Sequence, residues 1–596
     1  MKKLMRSVIS TILCVCLMLG TTVTGTALPA TAAKPAAVNI SAQTPVGDTT
    51  LGNIFAKVVN FISDFVINGI VLGALRNSVP FSPAIKDYST FDLDAYGDFY
   101  PGHESFLTEP AQGARWNLGY SQKSIIPADF GPRKYARGSM IPYGYTDENL
   151  NDLKVRTVAV DDGSGRGITV FAAIDCIGIA NADVRKIRAA VEDFAEENNI
   201  VSINVSATHT HSGIDSQGVW TDPAGVVINN IFTSVTGIGK LKSGVNSTFL
   251  NTLINQTAAS IKEACNNMTP GTLTLAKKDM SDYIYDRTAP ITFDPFLYRL
   301  EFSPDNASVK PTVIATLGVH PEVTSYSFDA ISGDLVYYME EVINRAGSNF
   351  IFIQGNVSTT TSFRPLSNDG LPDLNDHEQT VRYGYEFGFI TLGLSLSEDE
   401  RAALNIACGD PLGVELYAGQ EHYTVWYEDW EPVEEKEVAP LFNVRMSQFL
   451  IKSDNNVSNS ICKVSLTNNQ FVYDRKTHTY YTISELGYLQ IGDGDLQVFL
   501  SPGELMGELL MGGSGLYGFK YKSLREQYGE NIIVCDLVND ALGYVAADPN
   551  YVVIGMQYNE DADKFDSDTW CLLVSLGRNT GSTLFEKFEE IVKSTK

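Results

Sequence analysis

Positive charge is scarce in this chain: 44 Lys and Arg stand against 71 Asp and Glu, for a formal net charge of −27 over 596 residues. That balance leaves no electrostatic footprint for a nucleic acid, so nucleic-acid binding is excluded as a leading function. Histidine is scarcer still, at seven. Cysteine numbers eight, and six of them (Cys176, Cys265, Cys408, Cys462, Cys535, Cys571) lie far apart with no C-x-x-C, which argues against a cysteine metal site. An apolar run long enough to span a bilayer is also missing after the first 32 residues. Phe65 to Leu75, the charge-free part of an apolar stretch from Leu51 to Leu75, is too short. What remains, 44% apolar and 10% aromatic, is globular composition.

Residues 1–32 read as a secretory signal peptide. Lys2, Lys3 and Arg6 precede an apolar stretch from Val8 to Leu19, and Ala30-Thr31-Ala32 fits small-x-small cleavage. The expected location is therefore secreted and extracellular, with disulfides permitted. Residues 33–50, rich in Ala, Pro, Thr and Ser, read as a flexible spacer. Residues 51–90 form an apolar N-terminal helical segment, and 51–75 either packs on the protein body or makes peripheral membrane contact. Residues 91–596 read as one domain. The oligomeric state stays open.

Within 91–596, short apolar runs alternate with amphipathic helical stretches. Strands are expected at Val155–Val160, Ile168–Ile174, Ile203–Ser206, Thr312–Gly318, Phe350–Ile353, Leu496–Leu500 and Ile532–Leu537. Helices are expected at Ala182–Glu197, Thr248–Asn266, Asp334–Ala346 and Ser582–Lys593. This is an α/β pattern: a mixed sheet core flanked by helices, with its active site at the strand C-terminal ends. Gly413–Val464 differs, being aromatic and alternating with the acidic cluster Glu428–Glu437, and reads as an antiparallel β excursion.

Two of the seven histidines sit together in Thr208-His209-Thr210-His211-Ser212-Gly213, directly after an apolar run. Period-2 alternation puts both on one side of a strand end. They can share a metal, one can ligate while the other handles protons, or both can simply hydrogen-bond in a loop. Other apolar runs deliver His320-Pro321, then Gly355-Asn356-Val357-Ser358, Ser501-Pro502-Gly503-Glu504, and Asn539-Asp540 followed by Tyr544. Two histidines with one carboxylate is a common catalytic zinc set.

The order of these motifs resembles the neutral (non-lysosomal) ceramidases, zinc amidases that cleave the N-acyl bond of ceramide, from about Ala114 onward. Ala207-Thr208-His209-Thr210-His211-Ser212-Gly213 is close to that family's G-T-H-T-H-S-G, Val319-His320-Pro321 to its A-V-H-P, and Pro502-Gly503-Glu504 to its P-G-E. Asn539 to Tyr544 matches its N-x-x-x-x-Y. The resemblance implies that His209, His320, Glu504 and Tyr544 hold one Zn²⁺, with His211 handling protons beside it. It places Arg287 near the substrate's polar head, Tyr558 at the oxyanion, and Ser358 at the serine of the family's G-D-V-S-P-N. A lipid or another N-acyl amide is the implied substrate. The chain departs from the pattern at Gly355-Asn356-Val357-Ser358-Thr359-Thr360, which loses the Asp, the Pro and the final Asn. The Gly-Arg-Arg that follows P-G-E in typical members is also lost, and the family's C-terminal immunoglobulin-like domain is expected to be absent. A zinc hydrolase acting on a different amide or ester, and a non-catalytic lipid-binding relative, are the competing readings. Val226–Leu241 is expected either to line an acyl-chain channel or to pack as a core helix.

Overall fold

The computed structural model describes residues 58, 61–62 and 64–595, except for 133, 139–144, 287, 289–290, 326–329, 363–375, 395–396, 398, 400–432, 514–515, 517, 553–556, 560–563, 567–571 and 573. The expected signal peptide and spacer lie outside the described residues. So do Cys408, Cys571 and the first part of the Gly413–Val464 stretch. The other four cysteines beyond the signal segment are free thiols.

Two mixed β-sheets stack face to face, and helices cover both outer faces. The first sheet runs 349–354, 312–317, 296–304, 269–279, 116–124, 154–161, 168–174, 200–207 in order of pairing. Its two outermost pairs are parallel and its middle is antiparallel. The second sheet runs 86–87, 471–474, 479–491, 496–500, 532–535, and Phe442–Ser453 also pairs with 479–491. Of the expected antiparallel excursion, Phe442–Ser453 is thus built into the second sheet, whereas Asn456–Lys463 is a helix.

Alternation along each strand explains the layering. Trp116, Leu118, Val158, Val160 and Phe171 from the first sheet meet Phe442, Val444, Leu489, Val498 and Ile533 from the second in one apolar layer. The opposite face of the first sheet buries Val155, Ala172 and Val205 under the helices Asn181–Ala189 and Ser247–Asn266. Elsewhere on that face, Val313, Ala315 and Phe352 pack under Asp334–Arg345 and Asp376–Leu392. The C-terminal helix Thr580–Ser594 closes the second sheet through Leu584, Phe585 and Phe588. Strand Ile168–Ile174 and strand Leu496–Leu500 match their expected limits. The single helix expected over 182–197 is two, because buried Val191 leaves helical geometry (φ −123°, ψ 8°) between Asn181–Ala189 and Glu192–Glu197.

The sheets are laced together where their strands end. Asn539 N–H donates to Val205 O (2.7 Å), and its side chain accepts from Val205 N–H (2.9 Å) and donates to Asn204 Oδ1 (3.0 Å). Asn539 is fully buried with φ +63°, a conformation Asn tolerates better than most residues. Next to it, burial pushes the Asp540 carboxyl up to about 7, although Asn181 and Ala541 N–H groups donate to it.

Two outcomes are expected in denaturant melts. Asn539→Ala leaves two buried groups unpaired and should lower stability by about 2–3 kcal/mol. In the unfolded chain Asp540 releases its proton near 3.8, whereas the fold keeps it to about 7. Folded protein therefore binds the extra proton between those values, and its contribution to stability falls as pH rises through that window. Asp540→Asn should flatten this loss between pH 5 and 7.5; a variant that tracks the parent curve rules the assignment out.

Candidate metal centre

Strand Ile200–Ala207 stops before the histidines. Thr208 N–H donates to Ile174 O and His209 N–H to Cys176 O, and His209 adopts φ +69°. The alternation expected to align His209 with His211 is therefore replaced by a turn. The turn still brings the rings together, with Nε2 to Nε2 at 3.4 Å. His211 N–H donates to Pro321 O, which ties this turn to the loop carrying His320.

Those two loops follow strand 200–207, at one end of the first sheet's pairing order, and strand 312–317, next to the other end. Gln354 closes that gap: its Nε2 donates to Thr208 O (3.1 Å) and Val319 O (2.8 Å). His320 is fully buried, with Nδ1 at 2.7 Å from Thr360 O, and His209 Nδ1 lies 2.6 Å from Ile177 O. Each Nδ1–H thus has a backbone carbonyl to donate to, leaving the Nε2 lone pair facing inward. This is the arrangement that presents a neutral imidazole to a metal.

The second sheet supplies oxygen. After strand Leu496–Leu500 the chain turns, and Glu504-Leu505 pairs in parallel with Tyr544-Val545. Asn356 Nδ2 donates to Leu505 O (2.6 Å), and Leu505 N–H donates to the buried carboxylate of Asp536 (3.2 Å). Glu504 Oε2 stands 3.4 Å from His209 Nε2 and 3.5 Å from His320 Nε2, and Tyr544 Oη stands 3.5 Å from His320 Nε2. Buried Oε2 completes no hydrogen bond there. Two imidazole nitrogens and a carboxylate oxygen converging on one point, with a phenol alongside, fit Zn²⁺ and similar divalent ions. His211 belongs to the same cluster, because the three histidines offer nitrogens all within 4.8 Å of one another.

Electrostatics follow from burial opposed by pairing. Burial disfavours the Glu504 carboxylate, yet His209 and His320 more than offset it and hold the group well below the usual range. Burial likewise opposes a charged His209, and Glu504 raises it. His211 is pushed down to about 3 by burial and by His209 beside it. It stays neutral at ordinary pH, with Nδ1 3.8 Å from Glu322 Oε2.

His209, His211, His320, Glu504 and Tyr544 are therefore brought together. Ser358 lies elsewhere in this region: its hydroxyl donates to Met506 Sδ (3.7 Å) and accepts from Gly507 N–H (3.3 Å). Among the described residues no base is bonded to it, so it lacks the partner an activated serine needs. Arg287 lies outside the described residues. Its neighbours Tyr285-Asp286 pair with Thr360-Thr361, the segment whose carbonyl holds His320. Tyr558 falls in a short hairpin, Gln557–Asn559 with Lys564–Asp566, and its side chain lies outside the description. Sequence reading missed Glu322, two residues past His320, and also Gln354 and Asp536. Only Glu322 had a signal, its place in the same motif.

No model of a known protein family matches the chain, and no curated protein does. Among solved structures, it is similar to a neutral ceramidase from Pseudomonas aeruginosa, with TM-score 0.52 and 14% identity over 81% of this chain and 74% of that one. It is also similar to a ceramidase complexed with C2, with TM-score 0.50 and 14% identity over 81% and 75%. The chain has a ceramidase-like fold.

The donor set predicts one bound divalent metal per chain. His320→Ala and Glu504→Ala should each strip it, as read by metal analysis of purified protein. Full occupancy in both variants would exclude this centre.

Proposed function

We propose that this protein is a secreted zinc-dependent amidase that hydrolyses the N-acyl bond of ceramide or a related N-acyl lipid. The supporting observation is the meeting of His209 and His320 from one sheet with Glu504 and Tyr544 from the other, at one buried point in a ceramidase-like fold. These four residues would hold the ion. Bound Zn²⁺ supplies a water whose pKa falls to about 7 and polarises a carbonyl oxygen.

The remaining work falls to the chain's own groups. Neutral His211 accepts a proton at Nε2 from the attacking water and returns it to the leaving amine. Glu322, facing its Nδ1, favours the transient imidazolium. Arg287 and Tyr558 are assigned to the substrate's polar head and the oxyanion on the strength of the sequence resemblance. Ser358 is a substrate-side residue in this reading, since a nucleophile would need a base beside it.

One observation favours a second reading of the substrate. Asn356, standing where the resembling family has Asp, uses its amide N–H to hold Leu505 O. A carboxylate cannot donate that bond, so the altered loop is built into the architecture that positions Glu504. Recognition of the sphingoid hydroxyls is expected to be relaxed, and simpler N-acyl amines or other amides become acceptable substrates.

Purified protein should cleave a fluorescent short-chain ceramide and stop when a chelator is added; chelator-insensitive cleavage would overturn the metal route. His211→Ala should keep its metal while losing about 10²–10⁴ in rate. Loss of metal from that variant would instead make His211 a ligand. If the altered loop matters, kcat/KM for ceramide should exceed that for an N-acyl amine lacking the hydroxyls by less than about 10⁴-fold.

A further inference from the structure

Two helical segments turn apolar side chains to solvent. In the N-terminal segment, Asp64–Leu72 forms a π-helical stretch followed by the α-helix Gly73–Ser78. It buries Asn68 and Leu72 but exposes Phe61 (73%), Phe65 (63%) and Ile70 (56%). In helix Pro223–Thr236, Val226, Asn230 and Ile231 face inward, whereas Phe232 (54%), Val235 and, just past its end, Ile238 (66%) face out. One side of this helix packs in a buried cluster, as expected of a core helix, while the other side is open. It carries apolar residues on its buried and its open side alike.

Both segments rest on one support. Val79, following the first, and Val226 and Ile231 of the second pack in the same cluster with Val464 and Leu466. Asn456 Nδ2 donates to Asn68 O, and Asn230 Nδ2 donates to Val464 O. The two segments thus rest on the same stretch of chain, residues 456–466.

Charge distinguishes this face from the rest of the molecule. The chain carries 71 acidic residues, yet none occurs from 65 to 86 or from 223 to 262. The charged residues in those stretches are Arg76, Lys86, Lys240, Lys242 and Lys262, and Lys240 and Lys242 are exposed just beyond Ile238. Asp64, at the start of the first segment, is bonded to Arg578. Two apolar segments with no carboxylate between Asp64 and Asp87 or between Asp222 and Glu263, and with Lys240 and Lys242 at one edge, suit the headgroup level of a bilayer without net charge, where apolar insertion carries the binding. Among the described residues no helix is long and apolar enough to cross a membrane, so contact would be interfacial.

We propose that this two-segment face docks the protein on a zwitterionic lipid bilayer, inserting Phe61, Phe65, Phe232 and Ile238 at the headgroup level. The inference is independent of the amidase reading, because binding is measured without turnover.

The test is co-flotation of the full chain with phosphatidylcholine vesicles. The parent protein should float with them, and the pairs Phe61→Asp/Phe65→Asp and Phe232→Asp/Ile238→Asp should each lower the bound fraction about tenfold. Phe232→Trp supplies a readout that needs no loss of binding: its emission should shift to the blue on adding vesicles and be quenched by brominated lipid. Failure of the parent to float, flotation unchanged in both pairs, or an unshifted Phe232→Trp emission would each overturn the proposal. So would a concentration-dependent doubling of mass abolished by the same substitutions, which would assign the face to a second copy of the chain.

Discussion

Everything at this centre depends on how two separately hydrogen-bonded sheets are held in register at their strand ends. Asp536 is the hinge pin. Its buried carboxylate accepts from Val357 N–H, in the loop after a first-sheet strand, and from Leu505 N–H, beside Glu504 in a second-sheet loop. Its own N–H donates to Gln354 O, and the following residues exchange backbone hydrogen bonds with Val205 and Ala207. A carboxylate taken fully out of water is costly unless its lone pairs are met by donors. Here two of those donors are the backbones that must stay aligned if nitrogen and oxygen ligands are to converge. Both donors reach Oδ2, and burial raises the Asp536 carboxyl well above its ordinary range.

The centre shows the same trade on a smaller scale. Three imidazoles, a carboxylate and a phenol are packed into a nearly dry volume, where unpaired charge is expensive. The protein meets part of that expense with backbone: Ile177 O and Thr360 O fix the Nδ1 sides of His209 and His320. Opposite charge meets another part: His209 and His320 favour the ionised Glu504, and Glu504 raises His209. His211 is left out of that exchange and is held neutral. A neutral imidazole beside a metal-binding set suits proton handling, whereas an imidazolium there would repel a cation.

The sequence by itself determined the alternating α/β pattern, the strand ends that carry chemistry, and the pairing of His209 with His211. Each of these is written locally, in hydrophobic period or in adjacency along the chain. The family resemblance carried by motif order, rather than the residues alone, grouped His320, Glu504 and Tyr544 with His209. Only the tertiary structure decided that there are two stacked sheets, because pairing order is a property of segments far apart in sequence. Gly413–Val464, which contains the second-sheet strand Phe442–Ser453, looked like an excursion for that reason. The tertiary structure also replaced strand alternation by a left-handed turn at His209, and it revealed Gln354, Asp536 and Glu322 as the groups that hold or face the centre. Such residues work through partners 30 to 180 positions away, and an isolated Gln or Asp in a linear chain carries no mark of where its hydrogen bonds will land.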